Sequence, residues 1–250
     1  MFDLVLPTLQ TVGAAGVALV VVSAVLGGIA QGTVGFGAAF TTVPALAIVA
    51  PELLPGTMLV AALPLTILML FLERSQLDRT SATRLVLARI PGILMGTVVV
   101  VVVDVRWLTL VIGLTLLLAV AVAALGWTMT VTPGREWAAG VVSGATGAAT
   151  ALGGPALALL YRDSDPAVMR PTLAVVWAIG IVMTLTSLGV AGSLNSLQAL
   201  LGLALSLVVV SGLLVSRQVV ARVPTATVRR AVLWWAGIGG VSAIVRVIAT

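Results

Sequence analysis

A duplicated break in the apolar sequence constrains the fold of this chain more than any other feature. The stretch from Gly28 to Ala47 is almost entirely apolar, yet it contains residues that are unfavourable inside a helix. These are Gly28, Gly32, Gly35, Gly37 and Pro44. Glycine and proline cost a helix interior about 1 and 3 kcal/mol relative to alanine. The pattern predicts a helix that breaks at about Gly35 and restarts near Pro44, because proline suits a first helical turn.

The same pattern recurs in the second half of the chain, from Gly140 to Ala158. Gly140, Gly144 and Gly147 align with Gly28, Gly32 and Gly35, and Pro155 aligns with Pro44 after a slip of one residue. We therefore predict a duplication with a period of about 112 residues. The whole chain, 1–250, is predicted to be one transmembrane domain, with its first repeat over about 1–127 and its second over about 128–250.

Composition places this duplication in a membrane. Hydrophobic residues make up 60% of the chain and charged residues only 8%, whereas soluble proteins carry about 25% charged residues. The net charge of +5 comes entirely from arginine, and it indicates the cytoplasmic bias of basic loops in membrane proteins. We expect the bilayer as a partner and no nucleic acid. Histidine and cysteine are absent, so we expect no metal site, no cofactor and no catalytic residues.

The arginine-rich segments predict the topology. Loops at about 74–89 and 217–230 should be cytoplasmic, yet five apolar segments separate them. One of the five must therefore fail to cross, and the glycine-rich segment around Gly153 is the candidate. The predicted fold is all-α: an inverted repeat in which each half has a broken re-entrant helix pair and three transmembrane helices. The predicted crossings are about 57–72, 89–103, 107–126, 171–190, 197–215 and 231 to the C-terminus.

The two breaks also predict a binding site. Irregular backbone inside a membrane must be buried in protein or line a cavity, and transporters use such breaks to bind substrates at the midplane. Helix N-termini at Pro44 and Pro155, together with nearby hydroxyls, would form a neutral cage of donors suited to an oxyanion. The candidate substrate-binding residues are Thr33, Gly35, Phe36, Gly37, Thr41, Thr42, Pro44, Ser143, Thr146, Gly147, Thr150, Gly153, Gly154 and Pro155.

Other interpretations of these residues remain open. The Gly28–Gly32 and Gly140–Gly144 pairs also fit small-residue packing seams, and membrane threonines commonly bond their own helix. All eight acidic residues lie in predicted loops or at helix ends, so no carboxylate is expected on a substrate path. Arg89 and Arg246 are expected to reach the membrane surface from helix ends. A channel or permease for another small solute or ion, and a structural subunit, are alternative functions, whereas the absent histidine and cysteine disfavour an enzyme.

The duplicated motif, the Pro-Ala-Leu runs at Pro44 and Pro155, the Gly153-Gly154-Pro155 turn and the length resemble the sulfite exporter TauE/SafE family. The resemblance implies a multi-pass permease of the bacterial inner membrane for sulfite, sulfoacetate or a related small anion. Phe36, Ala38 and Ala39 stand where that family is richer in glycine. Export is favourable, since a monoanion leaving a negative interior gains about 2.3 kcal/mol per 100 mV. Whether the chain forms a homodimer is left open.

Overall fold

The computed structural model describes residues 2–72, 76–125, 129–220 and 222–249, without the side chains of 2–11, 217, 219 and 220. Throughout these ranges the regular structure is helical, as predicted. The helices are α1 Phe2–Val34, α2 Ala38–Val49, α3 Gly56–Leu72, α4 Arg79–Val102, α5 Val105–Leu125, α6 Pro133–Thr150, α7 Gly154–Leu160, α8 Pro166–Val190, α9 Ser196–Val220 and α10 Thr225–Ala249, with a 3₁₀ turn at Pro51–Leu53.

Six helical segments of the described chain are long and apolar enough to cross a bilayer. They are Val12–Val34, Arg79–Val102, Val105–Leu125, Pro166–Val190, Ser196–Ser216 and Thr225–Ala249. Six crossings were also predicted, but the two sets do not contain the same helices. The predicted crossing at 57–72 is α3, a shorter apolar helix, whereas the Val12–Val34 part of α1 has the length of a full crossing.

Side-chain caps explain why two crossings begin earlier than predicted. Asp78 accepts hydrogen bonds from the backbone N–H groups of Thr80 and Ser81 and so starts α4 at Arg79. Asp165 accepts one from Ala167 and starts α8 at Pro166. The N–H of Ser81 is the main cause that holds the pKa of Asp78 below its ordinary value. The polar first turns of α4 and α8 are therefore helical, although the sequence interpretation assigned them to loops.

Equivalent helices of the two repeats make equivalent contacts, each with a helix of the other repeat. Helix α6 packs along α4, and its repeat equivalent α1 packs along α9; likewise α4 contacts α8 where α9 contacts α3. Glycine makes both long seams possible. A Cβ on Gly28 would lie 2.0 Å from the carbonyl oxygen of Val209, and a Cβ on Gly144 would lie 2.6 Å from that of Arg89. These glycines therefore act as packing residues, the interpretation that the sequence had left open.

Hydrogen bonds between helix ends indicate which ends lie together. At one end, the Asp78 backbone N–H donates to Thr172, and Arg84 pairs with Glu136 at 3.0 Å. At the opposite end, Arg106 donates to the carbonyl of Val247 at 2.8 Å. The first of these ends, called the arginine-rich end below, carries most of the described arginines: Arg79, Arg84, Arg135, Arg162, Arg170, Arg222, Arg229 and Arg230. Arg106 and Arg246 lie at the other end.

The two breaks lie at different positions of the repeat. Helix α1 ends at Val34, as predicted, but α2 restarts at Ala38, so the predicted restart near Pro44 is wrong and Pro44 lies inside α2. Gly37 allows the early restart because its φ of 141° suits only glycine. The second break follows Thr150, and α7 starts at Gly154 with Pro155 in its first turn, as predicted.

Candidate functional site

A central cavity of about 80 Å³ lies between the two breaks. Gln31, Phe36 and Gly37 line it from the first break, and residues of α2, α3, α4 and α8 form further parts of its wall. The second break contributes Gly147, Ala151, Leu152, Gly153 and Gly154. Its volume holds a few water molecules or one small solute. The two halves therefore meet around one internal space, and both breaks contribute backbone to its wall.

Arg89 of α4 is the charged residue of this cavity. It lies ten residues after the start of α4, which is about 15 Å along the helix axis, and its side chain is 3% exposed. Its Nη1 donates to Ser143 Oγ at 2.6 Å. Ser143 Oγ in turn donates to the carbonyl oxygen of Gly153 at 2.5 Å. The guanidinium is thus connected through one hydroxyl to the backbone of the second break.

Three glycines leave the space that the Arg89 guanidinium occupies. A Cβ on Gly180 of α8 would lie 2.4 Å from Arg89 Nε, closer than any real contact. A Cβ on Gly147 or Gly153 would lie 3.2 or 3.4 Å from the terminal nitrogens. Gly180 therefore provides the space for the buried arginine, and Gly147 and Gly153 of the second motif lie against its terminal nitrogens.

Among the described residues, Arg89 has no carboxylate partner: the ion pair found there joins Arg84 to Glu136. Arg89 Nε is buried and makes no hydrogen bond within the described chain. A buried cation without a counter-ion is costly, and charged residues inside a membrane generally mark substrate or ion paths. The cavity is therefore electropositive and suited to an anion.

This result corrects two expectations. Arg89 was expected to reach the membrane surface from a helix end, and the cage was expected to contain only neutral donors. Both are wrong because α4 begins at Arg79 and carries Arg89 to mid-helix. Two signals in the sequence could have revealed this: Asp78 is a typical N-cap, and a crossing at 89–103 is shorter than the roughly 20 residues that a bilayer needs.

The first break is closed by a side chain of its own helix. Gln31 accepts from the N–H of Ala38 at 3.2 Å and donates to the carbonyl oxygen of Gly35 at 3.1 Å. One amide therefore connects both sides of the break and caps the start of α2. The backbone N–H of Ala38, at the start of α2, therefore already has a protein partner. Sequence analysis did not single out Gln31, although it is the only amide side chain in either motif.

The structure brings some of the predicted site residues to the central cavity. Phe36, Gly37, Gly147, Gly153 and Gly154 line it, and Ser143 reaches it through Arg89. Gly35 and Pro155 line a neighbouring cavity. The others lie outside the central cavity: Thr33, Thr41 and Thr150 bond carbonyls of their own helices, as does Thr146, while Thr42 is fully buried and Pro44 packs against Gly239.

Glu136 is the buried acid of the described chain, and it is fully inaccessible. It accepts from Arg84 at 3.0 Å and from the hydroxyl of Tyr161 at 2.9 Å. This compensated cluster lies at the arginine-rich end and joins the start of α6 to the end of α7. It does not line the central cavity. No group of metal-ligating side chains occurs among the residues searched, which are the described ones.

Together, the apolar helices and the internal cationic cavity define a multi-pass membrane protein with a polar site enclosed among its helices. Comparison with protein families makes this more specific. The family model described as "Sulfite exporter TauE/SafE" matches residues 19–243, and the chain therefore belongs to that family of membrane transporters, as the sequence resemblance indicated. Comparisons with curated proteins and with solved structures found no match.

Proposed function

We propose that this chain carries a small sulfur-containing oxyanion, such as sulfite or an organosulfonate like sulfoacetate, across the bacterial inner membrane, and that Arg89 binds it. One observation carries the proposal: Arg89 is 3% exposed, faces the central cavity and has no carboxylate partner in the described chain. The family supports the class of substrate. The guanidinium supplies the protein's charge, and the substrate supplies the missing counter-ion.

The surroundings of Arg89 fit a small oxyanion. A guanidinium presents five N–H donors in a planar fork that matches oxyanions in a bidentate manner. Ser143 takes one of these donors, and Nε makes no hydrogen bond within the described chain. The wall contains few polar side chains, so a bound anion would face one strong electrostatic partner. The same charge repels cations, which argues against the alternative of a cation channel.

The proposed transport path requires access to the central cavity from both sides of the membrane. We infer that the arginine-rich end is cytoplasmic, because arginine accumulates on that side of membrane proteins. The equivalent helix contacts made by the two repeats support two related halves. The contacts between helix ends support an inverted arrangement in which equivalent helices run in opposite directions. Export follows the electrical gradient for an anion, and we propose that direction.

The test is transport by purified protein in liposomes. We expect uptake of labelled sulfite or sulfoacetate by the unchanged chain, with a loss on the order of a hundredfold in Arg89→Gln. Arg89→Lys should retain part of the activity, because it keeps the charge but not the fork. Arg106→Gln is the matched control, since Arg106 bonds a helix end far from the cavity. Equal transport by Arg89→Gln and Arg106→Gln would refute the role of Arg89.

The charge requirement can be tested separately by calorimetry. Sulfoacetate should bind, whereas an uncharged sulfone of similar size should bind at least tenfold more weakly, because a neutral group cannot compensate Arg89. Equal affinity for the two compounds would contradict an anion site. Tight binding of a carboxylate, with no response to sulfite or sulfonates, would retain the anion site but change the substrate class.

A further inference from the structure

A second cavity, called the arginine vestibule here, adjoins the central one. Its volume is about 180 Å³. Three arginines from separate parts of the chain line it: Arg162 follows α7, Arg170 lies in α8 and Arg229 lies in α10. All three are partly buried. Its lining contains no aspartate or glutamate among the described residues. Three arginine side chains from separate parts of the chain thus line one small space.

The vestibule lies at the arginine-rich end and touches the first break. Arg170 Nη2 donates to the carbonyl oxygen of Thr33 at 2.8 Å, one residue before α1 ends. A Cβ on Gly35 would lie 3.5 Å from Arg170 Cγ, in ordinary contact. Arg170 therefore lies against the backbone of the break itself, and the vestibule opens next to the segment that separates it from Arg89.

Two phenylalanines belong to both cavities. Phe36 and Phe40 line the central cavity and also the arginine vestibule. Their rings meet edge to face with centroids 6.1 Å apart. Phe40 lies beside the second break, because a Cβ on Gly154 would contact its ring at 3.4 Å. The two rings are thus the partition between the vestibule and the cavity that contains Arg89.

We propose that the arginine vestibule is a second anion-binding site, which captures a small oxyanion from the arginine-rich side before it passes Phe36 and Phe40 to Arg89. This inference deepens the proposed function and rests on it for the identity of the anion. Three arginines raise the local concentration of anions, as charged clefts do for charged substrates. The neutral aromatic partition keeps the two positive sites apart, so that an anion leaves the first as it enters the second.

The absence of cysteine from the chain allows a direct test that needs no transport. Ala158 lines the vestibule and is partly buried. In Ala158→Cys protein in detergent, we compare the rates of reaction with an anionic sulfonatoethyl thiosulfonate and with a cationic trimethylammonium thiosulfonate. Replacing Arg162, Arg170 and Arg229 together by glutamine should lower the anionic-to-cationic rate ratio by about tenfold or more.

Two further variants separate a binding site from a general surface field. Arg79, Arg222 and Arg230 are exposed and absent from the vestibule wall, so their triple glutamine variant has the same charge change and should alter the ratio by less than about threefold. Lysine at 162, 170 and 229 should keep most of the ratio, which shows that the glutamine effect is not misfolding. An equal effect of the two glutamine triples would overturn the proposal.

Occupancy is tested with sulfate as the probe. At constant ionic strength, sulfate in place of chloride should slow the reaction of the anionic reagent with the Ala158→Cys protein when the three vestibule arginines are present, and should not do so in their glutamine variant. Equal rates in sulfate and chloride would overturn a binding site. The same measurements in an Arg89→Gln background should be unchanged, so a failure of the proposed transport at Arg89 is distinguishable from a failure of the vestibule.

Discussion

The two helix breaks belong to equivalent glycine-rich motifs, yet different chemistry holds them. Gln31 and Ser143 are equivalent positions, since each lies one residue before an aligned glycine, Gly32 or Gly144. Gln31 bonds both sides of its own break. Ser143 donates only to Gly153 and accepts from Arg89, a residue of the other repeat. Gln31 therefore joins the two sides of the first break within its own motif, with Arg170 donating to the Thr33 carbonyl oxygen beside it, whereas Ser143 at the second break depends on the buried cation Arg89.

This difference assigns different tasks to the two motifs. At the first break, the Ala38 N–H and the Gly35 carbonyl oxygen already bond to Gln31, so we interpret this break as a fixed wall of the cavity. At the second break, the hydrogen-bond network ends on a guanidinium whose charge is not balanced by the described chain. If a substrate anion binds Arg89 as proposed, it acts on the second network, because Gln31 in the first carries no charge. We therefore propose that the duplication provides one rigid break and one responsive break facing the same cavity.

The breaks also differ in where the backbone turns, and glycine placement explains it. Gly35 and Gly37 have φ values of 89° and 141°, which favour glycine strongly. The residue that corresponds to Gly37 in the second repeat is Ala149, which is helical. Helix α6 therefore continues to Thr150 and turns at Ala151, whose φ is 59°. An alanine in place of one glycine moved the second break along the chain by about one helical turn.

The largest effect expected is all-or-none and concerns the orientation of the two repeats. If the breaks approach the cavity from opposite sides, cysteines introduced at Arg79 and Arg222 should both react only with a membrane-impermeant reagent applied to the cytoplasmic side. A cysteine at Ser193 should react only from the outside. All three positions are accessible in loops or first turns. Labelling of positions 79 and 222 from opposite sides would refute the inverted repeat. It would also remove the basis for access to the central cavity from both sides of the membrane.

Alanine at the break glycines should separate stability from transport. Gly37→Ala combines a φ of 141° with a Cβ 2.8 Å from that of Ala30, and should cost about 3 kcal/mol of unfolding free energy. Gly153→Ala keeps an allowed backbone, but its Cβ would lie 2.8 Å from the Ser143 carbonyl. It should fold and lose transport about tenfold or more, because the break moves away from Arg89.

Gly154 provides the control for this series. Its added Cβ would meet only the Phe40 ring, at 3.4 Å, so Gly154→Ala should stay within about twofold of the unchanged transport rate. Leucine at 153 or 154 should abolish transport by filling the cavity while folded protein remains. The measurements are thermal melting in detergent and uptake in liposomes. If Gly153→Ala and Gly154→Ala lose folding equally, packing alone explains these glycines.

The sequence was sufficient for the membrane class, the family, the break at Gly35 and the first-turn position of Pro155, because glycine, proline and apolar length act locally. It was insufficient for the depth of Arg89, which depends on where α4 begins, and for the early restart at Ala38, which depends on Gln31 folding back across the break. The threonines illustrate the same limit. Their number predicted a cage, but Thr33, Thr41 and Thr150 bond nearby carbonyls.

The smallest effects expected come from truncating the equivalent residues Gln31 and Ser143. Gln31→Ala removes the partners of the Ala38 N–H, in the wall of the central cavity, and of the Gly35 carbonyl, outside it. Gln31 itself lines the cavity but carries no charge that an anion could compensate. It should lower the unfolding free energy by about 2 kcal/mol, the cost of leaving buried polar groups unpaired, with little change in KM. The measurement is thermal melting in detergent, with Gln218→Ala as control, since Gln218 is exposed.

Ser143→Ala should show the opposite result, with a larger effect on the KM for transport than on stability. Arg89 and Gly153, the two residues that lose their contact with the Ser143 hydroxyl, both line the central cavity. There, water or substrate can replace the hydroxyl. Melting should change less than in Gln31→Ala, while the KM for transport should rise about tenfold, because the guanidinium loses the contact that orients it. Ser211→Ala, on exposed α9 surface, is the control. A KM that rises equally in Gln31→Ala and Ser143→Ala would show that substrate binding depends on both breaks alike, and would contradict the division into one rigid and one responsive break.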